Sequence, residues 1–446
     1  MAVPAPLAPR VSTRTAAAAP PAPGAETRHA ARDAGLLAAV GFVTGGSNFV
    51  FNVMVARNGG VSSYGGIAAL LSMVTIAGFV ASGVQYAMAR RAATWDGPPR
   101  ALLAASLGLM WPWLAVVVAL FASVPALSAY LGVPDAATVL VVTQFVALLA
   151  AAMPGGVLIG RRRFALIAGL SVIGVALRLC GGALLARVMD ATTAALVASF
   201  VPALLSVAVF LSIALRMGSV AAEAGAVDAS AEDMSAGFAT ESATGAISSA
   251  ALWSLWAMPL IFARHLLDAG SSGRFAAAQV LASGVLFVTA PVAMAFYPTI
   301  ARHRQRRTVV VGAVATLGLA GVASLGMAVL GPWLMRHVYG PHFVVGARAL
   351  LEFGASAATV SLATYAVWTA RALRRRIAPV SVMVGLAAAA ELLVGVAAPG
   401  GLETLAVLPC LTLATAGGAL LLAAVSRSRG RSRATPAVVV LVGDEA

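Results

Sequence analysis

Residues 161–186 read RRRFALIAGLSVIGVALRLCGGALLA: three consecutive arginines, a long apolar run, and one further arginine, Arg178, inside that run. A helix rises about 1.5 Å per residue, so some 20 apolar residues cross a hydrocarbon core roughly 30 Å thick. The stretch therefore predicts a transmembrane helix held at one interface by Arg161, Arg162 and Arg163. Eleven further runs of similar length lie near 34–55, 62–88, 101–125, 137–158, 192–215, 246–267, 275–299, 308–331, 347–370, 377–397 and 403–425. The expected fold class is an all-α polytopic membrane protein of about 12 transmembrane helices.

Composition agrees, with 60% apolar residues, 10% charged residues and a mean hydropathy of +0.93 over 446 residues. No soluble domain of that length carries so little charge. The gaps between runs alternate between arginine clusters and almost none. With the N-terminus in the cytoplasm, 23 of the 30 basic residues fall inside, and only Arg57, Arg187, Arg274, Arg336 and Arg348 fall outside. The positive-inside rule then predicts that both termini are cytoplasmic. The net charge of +14 is thus spread over many gaps rather than gathered on one face, which excludes a nucleic-acid surface.

The chain has no lysine, which excludes a P-loop and any Schiff-base cofactor. Uphill transport would have to draw on an ion gradient, the substrate's own gradient or a separate ATPase. Cys180 and Cys410 both lie in apolar spans and read as small hydrophobes, so no disulfide, metal or cofactor is expected. Residues 1–33 read as a disordered cytoplasmic tail, 34–216 and 246–425 as two six-helix bundles, 217–245 as an acidic, flexible cytoplasmic linker, and 426–446 as a basic tail.

The triplet also aligns the two halves. RRRFALIAGLSVIG from Arg161 matches RRRIAPVSVMVGLA from Arg374 at an offset of 213, and placing Tyr64 on Phe275 gives an offset of 211. Two anchors at nearly one offset predict a 6+6 pseudo-symmetric repeat. In that register Arg178 and Glu391 are mates, each 14 residues into its span and about 21 Å from the cytoplasmic edge. A charge at that depth costs about 2.5 to 3.5 kcal/mol on insertion scales, so intramembrane charges are by default functional. The competing reading is a static ion pair, or side chains that snorkel to the outer surface.

Arg264, His265 and Asp268 cluster at the outer end of span seven, with Glu352 early in span ten; either cavity function or interfacial snorkelling fits them. Thr44, Asn48 and Asn52 recur every four residues as one polar stripe, which lines an aqueous path or bonds a neighbouring helix. Gln85, Gln144 and Gln279 are isolated polar groups, and Pro112, Pro154, Pro202, Pro259 and Pro291 interrupt spans.

The stretch from Asn48, NFVFNVMVARNGGVSSYGGIAALLSMVTIAGFVASGVQYAMARRAA, resembles the opening of polysaccharide flippases, in which a first helix leads through a short outer loop into a Tyr-Gly helix ending in a basic pair. The likeness recurs in GVLIGRRRFALIAG and in ARHLLDAGSSGRFAAAQVLASGVLFVTAPVAMAFYPTIARH, where Gly273 and Phe275 stand in place of the usual Gly followed shortly by Tyr. The resemblance spans 34–425 and implies the multidrug/oligosaccharidyl-lipid/polysaccharide exporter superfamily, with two bundles around a central cavity in a bacterial inner membrane. It implies no enzyme but a transporter that flips a polyprenyl-pyrophosphate-linked oligosaccharide by alternating access for surface polysaccharide biosynthesis. Its partners would be the bilayer, a polysaccharide polymerase and glycosyltransferases.

Under that resemblance Arg178 and Arg264 are candidates to meet the pyrophosphate, because guanidinium binds such oxygens bidentately. Asn48, Asn52, Gln85 and Gln279 would complete the substrate site. Glu391, Glu352 and Asp268 are candidates for proton or sodium coupling, because an unpaired carboxylate in low dielectric has a raised pKa. Two other readings stay open: an ion-coupled multidrug exporter of the same superfamily, and a membrane-embedded polysaccharide polymerase or glycosyltransferase. Enzymes of the last kind carry catalytic residues in sizeable outer loops, whereas the longest outer gap here runs only from Gly331 to Ala347. ARRAATWDGPPR after span two also lacks the acidic-basic signature of major facilitators.

Overall fold

The computed structural model describes residues 25–95, 97–108, 110–217, 238–303 and 306–372. Within them the regular structure is entirely helical. Helices α1 (Ala25–Thr94), α2 (Pro99–Leu107), α3 (Trp111–Ala122), α4 (Val124–Leu131), α5 (Asp135–Gly160), α6 (Phe164–Leu185) and α7 (Ala191–Arg216) form the first half. The second half holds α8 (Phe238–Leu266), α9 (Ala269–His303), α10 (Arg306–Leu334), a π-turn at Met335–Tyr339, a 3-10 turn at Pro341–Phe343, and α11 (Ala347–Ala372).

Among the described residues, eight helices are long and apolar enough to cross a membrane, or nine if the bent pair α2–α3 counts as one span. The protein is a multi-pass membrane protein. The apolar part of α1 alone runs 55 residues, from Ala39 to Ala93, far beyond one bilayer crossing. It is broken at Gly60, whose φ of 72° and ψ of 169° only glycine adopts without strain. Spans one and two are therefore two arms of one element, which begins at Ala25, inside the segment read as a tail. Span three differs from its expectation: α2 and α3 meet at 56°, and Pro112 sits where a helix start tolerates it. Spans four to ten appear as helices close to the expected limits. Spans 377–397 and 403–425, the tail 426–446 and Glu391 lie outside the described residues, as does linker segment 218–237.

Helices α6 and α7 turn Val172, Ile173, Leu204 and Leu211 outward, and α10 does the same with Val322, Val329 and Trp333. Such continuous apolar surface suits hydrocarbon contact and would aggregate in water. Where helices pack on one another, small residues let the backbones approach. A side chain at Gly83 would overlap the backbone of Ala246, and one at Gly273 would overlap the carbonyl of Val61. These two contacts join the second arm of α1 to α8 and α9, so the halves touch at both ends of that arm. Between them the chains separate around a cavity.

Candidate functional site

The cavity has a volume of about 220 Å³ and takes walls from both halves. The first half contributes Asn48, Asn52, Gln144, Arg178 and Ser199; the second contributes Trp253, Trp256, Gln279, Leu286 and Phe287. Residues 68–75 of the second arm of α1 form a further wall. This stretch lies between the two closures. Toward Gly60, Gly65 abuts Ser272, and the fully buried Tyr64 packs edge-on against Phe343 at 5.9 Å. Toward Arg90, the ring of Phe79 stacks on Trp253 at 4.1 Å, and Arg90 pairs with Glu241 at 2.8 Å.

Arg178 is the one charged side chain lining the cavity among the described residues. Its Nε donates to Ser199 Oγ at 3.1 Å, its Nη1 donates to Asn48 Oδ1 at 3.0 Å, and its guanidinium lies 4.0 Å over the ring of Phe51. Hydrogen bonds to a charged group contribute about 1.5 to 3 kcal/mol each, and a cation–π contact about 0.5 to 2. Those contacts are enough to hold the charge at its insertion cost, so stability alone does not require a ligand. The donor inventory says more. A guanidinium carries five N–H groups, and two are engaged by protein acceptors among the described residues. The remaining donors share a cavity with the polar stripe of α1.

That stripe is a network. Asn52 Nδ2 donates to the Asn48 carbonyl at 2.8 Å, and the Tyr64 hydroxyl donates to Asn52 Oδ1 at 3.1 Å. The structure thus joins Asn48, Asn52 and Arg178 in one place. Gln279 joins them from α9, donating to the Trp256 carbonyl, and Gln144 donates to the Ser199 carbonyl at 3.0 Å.

The other sequence candidates are placed elsewhere. Arg264 donates to the carbonyls of Leu131 at 2.9 Å and Gly132 at 3.4 Å, so it braces the turn after α4 and is not among the cavity-lining residues. His265 beside it stacks on Tyr130 at 3.9 Å. Gln85 packs against Gly155 in the α1–α5 contact. Glu352 pairs with Arg348 one turn earlier on α11, at 3.2 Å. Asp268 caps α9, with Oδ1 accepting from the N–H of Gly270 at 2.9 Å and of Ser271 at 3.0 Å. Hydrogen bonds from Ser271, and then Gly270, hold its carboxyl below the usual range, opposite to the raised pKa expected of a coupling carboxylate. Ser199, Trp253 and Trp256 were not legible as site residues, since a hydroxyl or an indole in an apolar helix carries no distinguishing spacing.

No family model and no curated protein matches the chain. Solved structures do. The lipid II flippase MurJ in its inward closed conformation superposes with a TM-score of 0.69 at 12% identity, over 87% of each chain. The chain shares its fold with this flippase. An inward-facing multidrug resistance MATE family transporter of the MOP superfamily gives a TM-score of 0.63 at 10% identity, over 87% of this chain and 96% of the other. The MATE multidrug transporter DinF-BH gives 0.59 at 15%, over 88% and 94%. In this shared fold the cavity described above lies between the halves.

Proposed function

We propose that the protein flips a polyprenyl-pyrophosphate-linked oligosaccharide across the bacterial inner membrane by alternating access, with both termini cytoplasmic. The observation that carries this reading is Arg178, a guanidinium with donors that the described residues leave free, in a cavity between the halves whose other described lining residues are uncharged. A pyrophosphate offers oxygens at the spacing guanidinium engages bidentately. Asn48, Asn52 and Gln279 line the space the glycan would fill, while the polyprenyl chain stays in the bilayer.

The full architecture in this proposal is two bundles of six helices, with Glu391 on span eleven as the symmetry mate of Arg178 and the coupling carboxylate. Arg264, Glu352 and Asp268 hold local structure instead, and Gln85 serves helix packing. A polysaccharide polymerase and glycosyltransferases would be its neighbours in the pathway. The fold is equally that of multidrug transporters, and Trp253, Trp256 and Phe287 would suit an aromatic drug. The positive charge of Arg178 opposes the cationic compounds such a site would have to accept.

The test is flipping of a fluorescent polyprenyl-diphosphoryl sugar in proteoliposomes. Wild type should translocate it, and Arg178→Ala should reduce the rate at least tenfold with the protein still folded and inserted. A wild type that leaves this lipid in place, or an Arg178→Ala variant that flips it at full rate, overturns the reading.

A further inference from the structure

Gln144 and Gln279 come from opposite halves, each is only 3% exposed, and both line the cavity. Each spends its amide nitrogen on a main-chain carbonyl of a neighbouring helix, Ser199 for Gln144 and Trp256 for Gln279. Both carbonyls lie three residues before a proline, Pro202 and Pro259. Proline lacks an N–H and frees the carbonyl four residues back, Ala198 and Leu255 here, so each glutamine meets the backbone one residue along in the turn that its proline weakens. This geometry also fixes which way each amide points, because a reversed amide would set oxygen against a carbonyl oxygen.

The consequence concerns the other end of the amide. Oε1 of Gln144 and Oε1 of Gln279 are buried and have no hydrogen-bond partner among the described residues. A buried acceptor left unpaired is costly, and native proteins seldom leave one without a reason. Here both belong to residues that line one cavity, one from each half, with the oxygens themselves closed off from water in this state. Ser199 sets the distance scale: its carbonyl takes Gln144 and its hydroxyl takes Arg178. Gln144 and Arg178 therefore share one residue of α7 as their acceptor.

We infer that Gln144 and Gln279 are specificity-determining acceptors that read the hydroxyl and amide N–H donors of the occupant, while Arg178 reads its charge. This deepens the function proposed above and rests on it. A ligand with the anion but no donors would leave both oxygens unpaired and bind less well. A ligand with donors would bridge the two halves through Gln144 and Gln279.

The experiment measures binding to the full-length protein in nanodiscs, by tryptophan fluorescence, with two probes: decaprenyl diphosphate and the same lipid carrying N-acetylglucosamine. Wild type should prefer the glycosylated probe, and Gln144→Met and Gln279→Met should each cut that preference roughly tenfold. Arg178→Ala should weaken both probes together. If the Met variants keep the wild-type preference, the inference fails while the role of Arg178 stands. If they instead lose both probes equally, with a lowered Tm, the glutamines only brace the proline turns and the inference also fails. A wild type without preference refutes it directly, and a wild type that binds neither probe refutes the proposed function with it.

Discussion

Arg57 donates from Nε to the carbonyl of Val338 and from Nη2 to that of His337, each at 2.6 Å. The end of the first arm of α1 thereby binds two carbonyls of the π-turn that follows α10, and the two halves are tied at the Gly60 end. Replacing Arg57 with Ala should remove about 1 to 2 kcal/mol of that closure, the bonds being charge-assisted but exposed. Amide hydrogen exchange over 335–345 should speed several-fold. Unchanged exchange would show that the aromatic packing of Tyr64, Tyr339 and Phe343 closes this end unaided.

The opposite end is tied by Glu241, which meets Arg90 at 2.8 Å and Arg91 at 3.9 Å. The Arg90 side chain is 78% exposed, so the pair contributes at most about 1 kcal/mol. Glu241→Gln should therefore shift the balance toward the state open at this end by no more than roughly fivefold. Maleimide labelling of Val74→Cys in a Cys180→Ala, Cys410→Ala background measures it. Because surface pairs are screened, raising salt should move wild type toward the variant and leave the variant unmoved.

Gly60 is the hinge between the two arms, with φ at 72° and ψ at 169°. A β-branched residue in that region of backbone space costs about 1 to 3 kcal/mol. Gly60→Val should lower the yield of folded protein in detergent and its Tm, whereas Gly59→Ala next to it should have a smaller effect. Equal behaviour of the two variants would remove Gly60 as a special position.

Asp190 caps α7 by accepting from the Thr193 N–H at 2.9 Å, and that bond, with the Thr193 hydroxyl, holds its pKa below the usual value. A depressed folded-state pKa stabilises the fold above the unfolded value of about 3.9 and loses that contribution as pH falls through the folded value. Asp190→Ala should cost about 1 kcal/mol at neutral pH. The gap in Tm between variant and wild type should close only as pH drops below the ordinary carboxylate range. A gap that narrows already near pH 6 would assign the effect to another group.

What could be read from sequence follows a physical divide. Helix existence was legible because it depends on local hydropathy, and spans four to ten needed only their own residues. Arg178 was legible for the same reason, since a charge among apolar neighbours is conspicuous wherever it points. Its partners were half legible: the four-residue spacing of Asn48 and Asn52 gave a stripe, but not what the stripe faced. Arg264 was read at the outer end of span seven, where cavity function and snorkelling both fitted, because its acceptors at Leu131 and Gly132 lie more than 130 positions away. The bend between α2 and α3, like the close approach of Gly83 to Ala246, depends on tertiary packing that no single run of sequence records.

Asn48 serves two masters. Its side-chain oxygen holds Arg178, and its carbonyl holds Asn52, whose own oxygen holds the hydroxyl of Tyr64 against Phe343. An anion that draws the guanidinium away from Asn48 disturbs the same short chain of bonds that steadies the aromatic plug at the Gly60 end. Under the proposed function, cargo sensing and opening at the Gly60 end would share one linkage, so the tightest-held passenger would also be the one that best loosens its own door.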